Sequence, residues 1–459
     1  MTDQVWDLVR DEVAAVVGQA LGVLGDPGAA GVLGQVEDAA RDVGQHLAQR
    51  LVQGVLDAAG PLGGPGPVRC PAGHAARLVE VRPKQVRTLV GPVRVRRAYH
   101  HCAACRAGVV PADDRLGVAG TSISPGLVRA AALAGMHMPY AKADTFVDTV
   151  TGTRLASAST IARTTRTVGR RASAAAAAEA TAATGGHLVD LAAPGPDKCY
   201  LVLDGTGAPM LPDQTTGRTG KHRDGRARTR EVKIACLFTS CGTDPTTGDP
   251  LQDPGSATYL ATFAPADTFA EHLRAEHNRR RFAQCRQGVV LGDGARWIWT
   301  IADRDWPSYT QIVDWYHATE HIHDLAKLVE PHLDDRPAWT QTLLDQLWAG
   351  NTHTITAAVT ALDLPDNLTN QATTAAAYFT SNHNRMQYAR FTALDLFVGS
   401  GTVESACSSI VGQRAKQAGM HWTITGLDPV LQLRALTQSR RDHLIWQPPT
   451  TQTTPAQAA

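Results

Sequence analysis

Two aspartates that follow short apolar runs are the residues of this chain best suited to catalysis. Asp204 follows residues 200–203 (YLVL), Asp293 follows residues 288–292 (GVVLG), and each precedes a glycine. A short apolar run bounded by glycine is typical of a fully buried strand. Side chains where central strands leave an open α/β sheet commonly line a site. Taken alone, however, an aspartate before a glycine is more often a turn residue.

A cysteine cluster is the second group with chemical potential. Its possible ligands are Cys70, His74, Cys102 and Cys105. A Cys-x2-Cys turn aims two thiolates at one tetrahedral Zn²⁺, and a second knuckle supplies the other two ligands. Residues 85–99 alternate apolar and basic side chains around Gly91, which predicts a β-hairpin between the knuckles. Residues 68–115 are therefore predicted to form a zinc-ribbon-like module that binds structural Zn²⁺. His100 and His101 are alternative ligands, and a small domain with incidental cysteines is the alternative interpretation.

The composition is that of an ordinary globular chain. It has 459 residues, 43% hydrophobic content and a formal net charge of +1, which excludes a uniformly basic coat for nucleic acid. Eight cysteines are too few for a disulfide scaffold. The sequence has no run of about 20 apolar residues, and its acidic N-terminus is unlike a secretory signal. We expect a cytoplasmic protein without a membrane partner.

Helical patterns precede the first aspartate. Residues 1–60 show apolar residues at helical spacing in two stretches, 2–24 and 34–58, and a segment rich in glycine and proline follows. Residues 121–186 are also predicted to be helical, with five arginines and no acid between 154 and 171. A helix-turn-helix that contacts DNA and a plain helical connector fit this region equally well.

From residue 197 the pattern changes to strands and helices. Strands are predicted at 199–203, 231–239, 256–263, 288–293 and 311–317, and helices at 269–282, 296–303 and 318–329. This order is that of an RNase H-like domain, a mixed sheet with flanking helices, in which the first and fourth strands are neighbours. Asp204 and Asp293 would then emerge side by side. The domain would comprise residues 197–330 and 396–446, with an all-helical insertion at 331–395 and a disordered tail at 447–459.

A third acid would complete a site for divalent cations. Three carboxylates can hold two Mg²⁺ or Mn²⁺ ions about 4 Å apart for phosphodiester chemistry. Glu404 lies in the first turn of a predicted helix after the glycine break at 399–401, where the helix dipole favours a negative charge. Spacing alone leaves other acids open as the third ligand, namely Asp303, Asp305, Asp314 and Glu320.

Six strings carry a resemblance to a known family. They are DGTGAPM, GDGARWIW, DWYHATEH, GSGTVESAC, QRAKQAGMHW and LRALTQSRR. They closely resemble the ISKra-type insertion-sequence transposases, DDE enzymes related to the Mutator-like transposases, from the cysteine knuckles to about Trp446. The resemblance implies that Asp204, Asp293 and Glu404 are the catalytic, metal-binding triad. It also implies that Asp314 and His317, which match an Asp-x-x-His element, support the site or position DNA; a structural histidine at a strand end is the alternative. The first knuckle departs from the family, which commonly has two cysteines there.

The activity implied by the resemblance is DNA transposition. Metal-dependent cleavage and strand transfer would act at the ends of an insertion sequence, on double-stranded DNA carrying terminal inverted repeats and on target DNA. A homodimer or higher oligomer would form on DNA in the bacterial cytoplasm, associated with the nucleoid. Expected phosphate contacts are Lys221, Arg223, Arg226, Arg228, Arg230, Arg414 and Lys416; a mobile solvated loop is the alternative for the first five. Alternative functions are a catalytically retired DNA-binding protein and an RNase H-like nuclease without strand transfer.

Overall fold

A computed structural model describes residues 10, 14, 17–18, 32–64, 66, 68–152, 156–184, 195–220 and 222–446. The chain divides into two compact units, Met1–Thr167 with Trp446–Ala459, and Val168–Ile445. Most of the helix predicted at 2–24, the linker near residue 190 and the tail 447–459 lie outside the described residues. Within the described ranges, no helix combines the length and apolar character needed to cross a membrane. The finer domain limits given above stay predictions.

The first unit contains a four-stranded antiparallel sheet. Its elements are helix α1 (Val32–Ala58) and strands β1 (Val68–Arg69), β2 (Ala75–Thr88), β3 (Gly91–Cys102) and β4 (Ala107–Val109), in the sheet order β1-β2-β3-β4. Strands β2 and β3 form the predicted hairpin, in which Thr88 pairs with Gly91. Alternation along β3 buries Val93 and Val95 and exposes the intervening arginines. The predicted hairpin between the two cysteine knuckles is confirmed.

Helix α1 packs on the hairpin through a row of glutamines. Gln45 donates to Leu89 O at 2.7 Å and Gln49 to Pro92 O at 2.6 Å. Gln53, one further turn along, exchanges hydrogen bonds with the backbone of Arg94. Residues spaced by four lie on one helix face. The helix therefore satisfies backbone groups at the end of the hairpin.

Helices complete the first unit. They are α2 (Pro111–Arg115), α3 (Pro125–His137), α4 (Tyr140–Thr151) and the beginning of α5 (Ala158–Thr184). Ser124 caps α3 by accepting from Leu127 N. A Cβ on Gly135 would lie 2.1 Å from Thr165 Oγ1, so only glycine allows α3 and α5 to approach this closely. The helices predicted at 121–186 are present, and α5 extends through the alanine-rich stretch.

The second unit is built on a mixed sheet. Its strands are β5 (Lys198–Pro209), β6 (Thr229–Thr243), β7 (Pro250–Gln252), β8 (Thr258–Thr262), β9 (Gln287–Gly292) and β10 (Thr310–Val313). Strands β10, β9, β5 and β6 are neighbours in that order, and both β7 and β8 pair with β6. Strand β5 runs antiparallel to β6 and parallel to β9, and β10 runs parallel to β9. The predicted pairing of the first and fourth strands is confirmed.

Two predicted strand ends are wrong. Strand β5 does not end at Asp204, because residues 205–209 continue to pair with β6 as far as Thr229. Asp204 instead marks the point where the parallel pairing with β9 ends. The strand predicted at 311–317 ends at Val313, because Asp314 accepts a hydrogen bond from His317 N and caps the following helix.

Helices flank this sheet and form the region between its two parts. They are α6 (Ala266–Arg279), α7 (Arg296–Asp305), α8 (Trp315–Val329), α9 (Arg336–Trp348), α10 (Thr352–Thr360), α11 (Asp366–Ser381) and α12 (Tyr388–Thr392). As predicted, the described residues 331–395 contain helices and no strand. Lys198 on β5 donates to Leu394 O and Asp395 O at 3.0 Å each, which fastens the end of this region to the central strand.

The C-terminal part contains an irregular helix. Its elements are α13 (Gly401–Ala406), a π-helical segment (Cys407–Gly412), α14 (Gln413–Ala415), α15 (Ile424–Gln438) and α16 (His443–Trp446). Helix α15 packs on β8, where Thr262 Oγ1 donates to Asp428 Oδ1 at 3.2 Å. Cys199 in β5 and Cys285, which lies just before β9, form a disulfide across 86 residues, a pairing that the cysteine spacing did not predict.

Candidate functional site

The parallel register of β5 and β9 brings two acids together. Leu203 pairs with Gly292, so Asp204 and Asp293 are the next residues on adjoining strands. Asp204 Oδ1 accepts from Gly205 N at 2.6 Å, and Asp293 Oδ1 accepts from Ala295 N at 2.9 Å. These backbone amides orient both carboxylates. The adjacency that the strand order predicted is present.

The charge of Asp204 disfavours the ionised form of Asp293. Burial raises the pKa of Asp293 most, the Ala295 amide opposes the shift, and the negative charges of Asp204 and Glu231 raise the pKa further. A nearby like charge disfavours ionisation of a carboxyl unless a cation lies between the two groups. The pair is therefore suited to bind a divalent cation.

Helix α13 carries Glu404 and packs against β5 and β6. One turn after Glu404, Cys407 Sγ donates to Asp204 Oδ2 at 2.9 Å. Burial, and then the charges of Asp204 and Glu404, raise the pKa of the Cys407 thiol well above its usual range, so the thiol stays protonated and can donate. Glu404 is thus on the helix that contacts Asp204, and its own side chain is exposed.

The π-helical segment fixes this helix on the sheet. Arg434 of α15 donates through Nε to Ser409 O at 3.1 Å and to Ile410 O at 2.9 Å. Burial lowers the pKa of Arg434 to about 10. A π turn closes its backbone hydrogen bonds five residues on, and such turns often occur at functional sites. Arg434 adds side-chain hydrogen bonds to two carbonyls of this segment and so fastens it to α15.

Asp314 connects the two sequence segments around the acids. It is 2% exposed; Oδ1 accepts from His317 N at 2.7 Å, and Oδ2 accepts from Ser400 N. Ser400 directly precedes α13, so Asp314 joins the start of α8 to the start of the Glu404 helix. His317 lies near Asp293, where its charge acts to lower the pKa of that carboxyl. These contacts are those of a helix cap and a loop anchor, and the supporting role implied for both residues stays a prediction.

Two of the alternative third acids, Asp303 and Asp305, pair with arginines. Asp305 accepts from Arg274 at 2.7 Å and from Arg304 at 3.0 Å. Asp303 accepts from Gln311 Nε2 at 2.7 Å and lies 3.6 Å from Arg385 Nη2. Since these arginines already balance their charges, Asp303 and Asp305 are weaker candidates than Glu404 for binding a cation.

Sequence reasoning missed a fourth acid and a tyrosine near the pair. A Cβ on Gly205 would lie 2.4 Å from Glu231 Oε1, so glycine makes room for this carboxylate. Glu231 also pairs with Lys233 Nζ at 2.9 Å. Tyr378, in the helical insertion, donates to Asp293 O at 3.4 Å. Gly205 of the DGTG string was the available signal for Glu231, and no motif marked Tyr378.

The predicted DNA-contacting residues fall into three groups. Arg223, Arg226 and Arg228 are exposed, while Arg230 is half-buried and donates to Gln214 O at 3.2 Å. Lys221 lies outside the described residues. Lys416 is exposed and donates to Thr206 Oγ1 at 2.6 Å, on the strand of Asp204.

The expectation for Arg414 is wrong. Its side chain is 0% exposed, and its guanidinium lies 4.7 Å from the ring centroid of Trp422. The residue packs in the core beneath the π-helical segment, so it cannot reach DNA. The basic pattern of the helix did not distinguish its buried face from its exposed face.

The cysteine cluster assembles as predicted. The donor atoms of Cys70, His74, Cys102 and Cys105 all lie within 4.8 Å of one another. Cys70 Sγ is 3.7 Å from Cys105 Sγ and 3.8 Å from His74 Nδ1, and His74 Nδ1 is 3.2 Å from Cys105 Sγ. Tetrahedral Zn²⁺ with bonds of about 2.3 Å to sulfur places two ligand sulfurs about 3.8 Å apart. The group can therefore hold a metal ion such as Zn²⁺.

The thiols of the cluster influence each other's ionisation. Burial acts to raise the pKa of Cys70, but hydrogen bonds from the backbone at His74 and Ala72 outweigh it and lower the pKa to about 7. Hydrogen bonds with Cys70 and Cys102 raise the pKa of Cys105 to about 11. Cys70 therefore supplies the first thiolate, and a bound Zn²⁺ would be needed to stabilise the others. The alternative ligands His100 and His101 are not in this group. Among the described residues, the acids Asp204, Asp293 and Glu404 do not form a cluster of comparable compactness.

Comparisons with known proteins give little further information. No family model and no curated protein matches the chain. A solved structure, the Drosophila P element transposase strand transfer complex, is similar over 72% of this chain and 83% of that chain, with 11% sequence identity and a TM-score of 0.23. A TM-score this low establishes no shared fold. The residues of the site therefore remain the basis for assigning a function.

Proposed function

We propose that this chain is a DDE-type DNA transposase of the ISKra kind, whose second unit is an RNase H-like catalytic domain. The observation that carries the proposal is the register of β5 and β9, which sets Asp204 beside Asp293. The sheet supports the fold assignment, because β6 pairs antiparallel with both β5 and β8, whereas β9 pairs parallel with both β5 and β10. The helix that contacts Asp204 carries the third acid, Glu404.

The three acids fit the donor set of a hard divalent cation. Asp204, Asp293 and Glu404 would hold Mg²⁺ or Mn²⁺, two ions per site, and carboxylate oxygens are the ligands these ions prefer. When bound, the ions supply activation of the attacking oxygen and stabilisation of the leaving oxygen in phosphodiester cleavage and transfer. The raised pKa of Asp293 supports this assignment, because its causes are burial and then the nearby charge of Asp204, and a bound cation would offset both.

Other groups near the acids orient the carboxylates or offer positive charge to DNA. The amides of Gly205 and Ala295 fix the carboxylates, and Asp314 holds the loop that leads to Glu404. Exposed Arg223, Arg226 and Arg228 offer charge to phosphates. We further propose that the chain binds double-stranded DNA with terminal inverted repeats and target DNA. It would do so as a homodimer or higher oligomer that forms on DNA.

The test uses labelled DNA that carries the inverted repeats flanking the coding sequence, with Mg²⁺ or Mn²⁺. Cleavage followed by joining to target DNA is expected from the wild-type chain. Asp204→Asn and Glu404→Gln should each lower the cleavage rate by about 10³-fold, because each removes a charged cation ligand worth several kcal/mol in the transition state. DNA-end binding by gel shift should persist in both variants.

Asp303→Asn is the matched control. Asp303 is an exposed acid close in sequence to Asp293, and its loss should leave cleavage unchanged. If Asp303→Asn abolished cleavage and Glu404→Gln did not, Glu404 would be the wrong third ligand. Cleavage without joining would identify a nuclease, and binding without cleavage would identify a retired transposase that acts as a DNA-binding protein.

A further inference from the structure

A thiol lies beside the acidic pair but takes no direct part in the proposed reaction. Cys407 follows Glu404 by three residues, so both side chains lie on the same side of the helix. Its Sγ donates to Asp204 Oδ2 at 2.9 Å, although the two residues are 203 positions apart in the chain. The contact joins the strand of the first acid to the helix of the third.

This contact completes the orientation of the Asp204 carboxylate. Gly205 N holds Oδ1 at 2.6 Å, and Cys407 holds Oδ2. A carboxylate oxygen has two lone pairs, so Oδ2 can accept the thiol hydrogen bond and still offer a lone pair to a cation. Neither hydrogen bond therefore competes with cation binding.

The place of the thiol is itself fixed. Cys407 is the first residue of the π-helical segment, whose carbonyls at Ser409 and Ile410 accept from the buried Arg434. A donor on a rigid element orients its partner better than a donor on a loop does. The hydrogen bond is thus supported from behind by a core contact.

We propose that Cys407 is a positioning residue, which presets the Asp204 carboxylate for a divalent cation and couples it to the helix that carries Glu404. This inference rests on the proposed function, because it requires Asp204 to bind a cation. Groups that orient metal ligands in this way commonly contribute about 10–100-fold in metal affinity or activity.

The test is Mn²⁺ affinity, measured by electron paramagnetic resonance on the full-length, zinc-loaded chain without DNA. Cys407→Ala removes the donor and should weaken Mn²⁺ binding about tenfold. Cys407→Ser keeps a donor of similar size and should bind within about threefold of wild type. Cys241→Ala is the matched control: Cys241 is an exposed thiol that hydrogen-bonds to Asp253, and its loss should change nothing.

The outcomes separate this inference from the proposed function. If Cys407→Ala binds Mn²⁺ like wild type while Asp204→Ala loses binding, Cys407 has no positioning role and the proposed function stands. If Ser and Ala at position 407 weaken binding equally, packing rather than donation is responsible, and the inference also fails. If Asp204→Ala binds Mn²⁺ normally, both the inference and the cation site are wrong.

Discussion

The two candidate metal sites of this protein differ in how far apart their ligands lie in the chain. The cysteine centre takes all its ligands from residues 70–105, at the base of one hairpin. The acidic site takes Asp204 and Asp293 from two parallel strands and Glu404 from a helix after an insertion. The first site is compact because a hairpin is a local structure, whereas the second depends on the whole sheet. We therefore expect a change of one ligand in the first site to affect only that site. A change in the second site should also affect the contacts between distant elements that bring its ligands together.

The largest expected effect is the loss of zinc. Cys102→Ser should reduce bound zinc from about one ion per chain to near zero, since a structural site needs all four ligands. Inductively coupled plasma mass spectrometry on gel-filtered protein measures this directly. Cys241→Ser, which replaces an exposed thiol outside the centre, should keep its zinc. Zinc retained in the first variant would show that the cysteine centre is not the binding site.

A smaller effect is expected when the connection between distant segments is cut. Asp314→Ala removes the cap of α8 and leaves the Ser400 amide without its partner, which should cost about 2 kcal/mol and lower Tm by about 4–8 °C. Scanning calorimetry measures the shift. Asp335→Ala removes an exposed cap that serves Ala338 N alone and should cost about 0.5–1 kcal/mol. Equal shifts in the two variants would argue against a long-range role for Asp314.

The smallest expected effect is the change in stability when the charge of Asp293 is removed. The folded-state pKa of Asp293 is raised above its unfolded value, so the folded protein loses stability as pH rises through that folded pKa. Asn at position 293 is neutral at every pH. Without added Mg²⁺ or Mn²⁺, Asp293→Asn should therefore raise Tm at pH 7 by about 1–3 °C, and the gain should shrink as pH falls toward 3.8.

Adding Mn²⁺ sharpens this last prediction. The ion should stabilise the wild-type chain more than Asp293→Asn, because only the wild type keeps both carboxylates. Thermal unfolding followed from pH 4 to pH 8, with and without Mn²⁺, tests both statements. A lower Tm for Asp293→Asn at pH 7 in the absence of the ion would contradict the assigned sign of the pKa shift.

The sequence was sufficient to predict a site whose ligands lie in one local motif, or whose ligands follow strands that the strand order makes neighbours. The spacing of Cys102 and Cys105 predicted their centre, and the order of strands predicted that Asp204 and Asp293 adjoin. The sequence was insufficient where one residue type fits two structures. Gly205 after Asp204 predicts that the strand ends there, but a glycine inside a strand can also make room for a side chain such as Glu231.

Contacts between residues that are far apart in the chain could not be predicted from the sequence pattern. Nothing in the spacing of Cys407 indicates Asp204, because the contact depends on how α13 packs on β5. Arg414 was misplaced for a related reason: a basic side chain on a helix is usually solvated, yet this one is buried against Trp422. Tertiary packing decided both cases.

The π-helical segment also sets the number of residues that its helix can have. A π turn closes five residues on rather than four, so it accommodates one residue more than an α turn. Deleting one residue from 408–412 would let the stretch close as α turns and leave Glu404 close to its present orientation relative to the buried end of the helix at Arg414. Deleting Ser405 or Ala406, which lie between the acid and the π-helical segment, would instead rotate Glu404 by about 100° relative to Arg414. The helix could then keep its core contacts only by turning its acid away from Asp204. We therefore expect the π-helical segment to tolerate the loss of one residue better than α13 does.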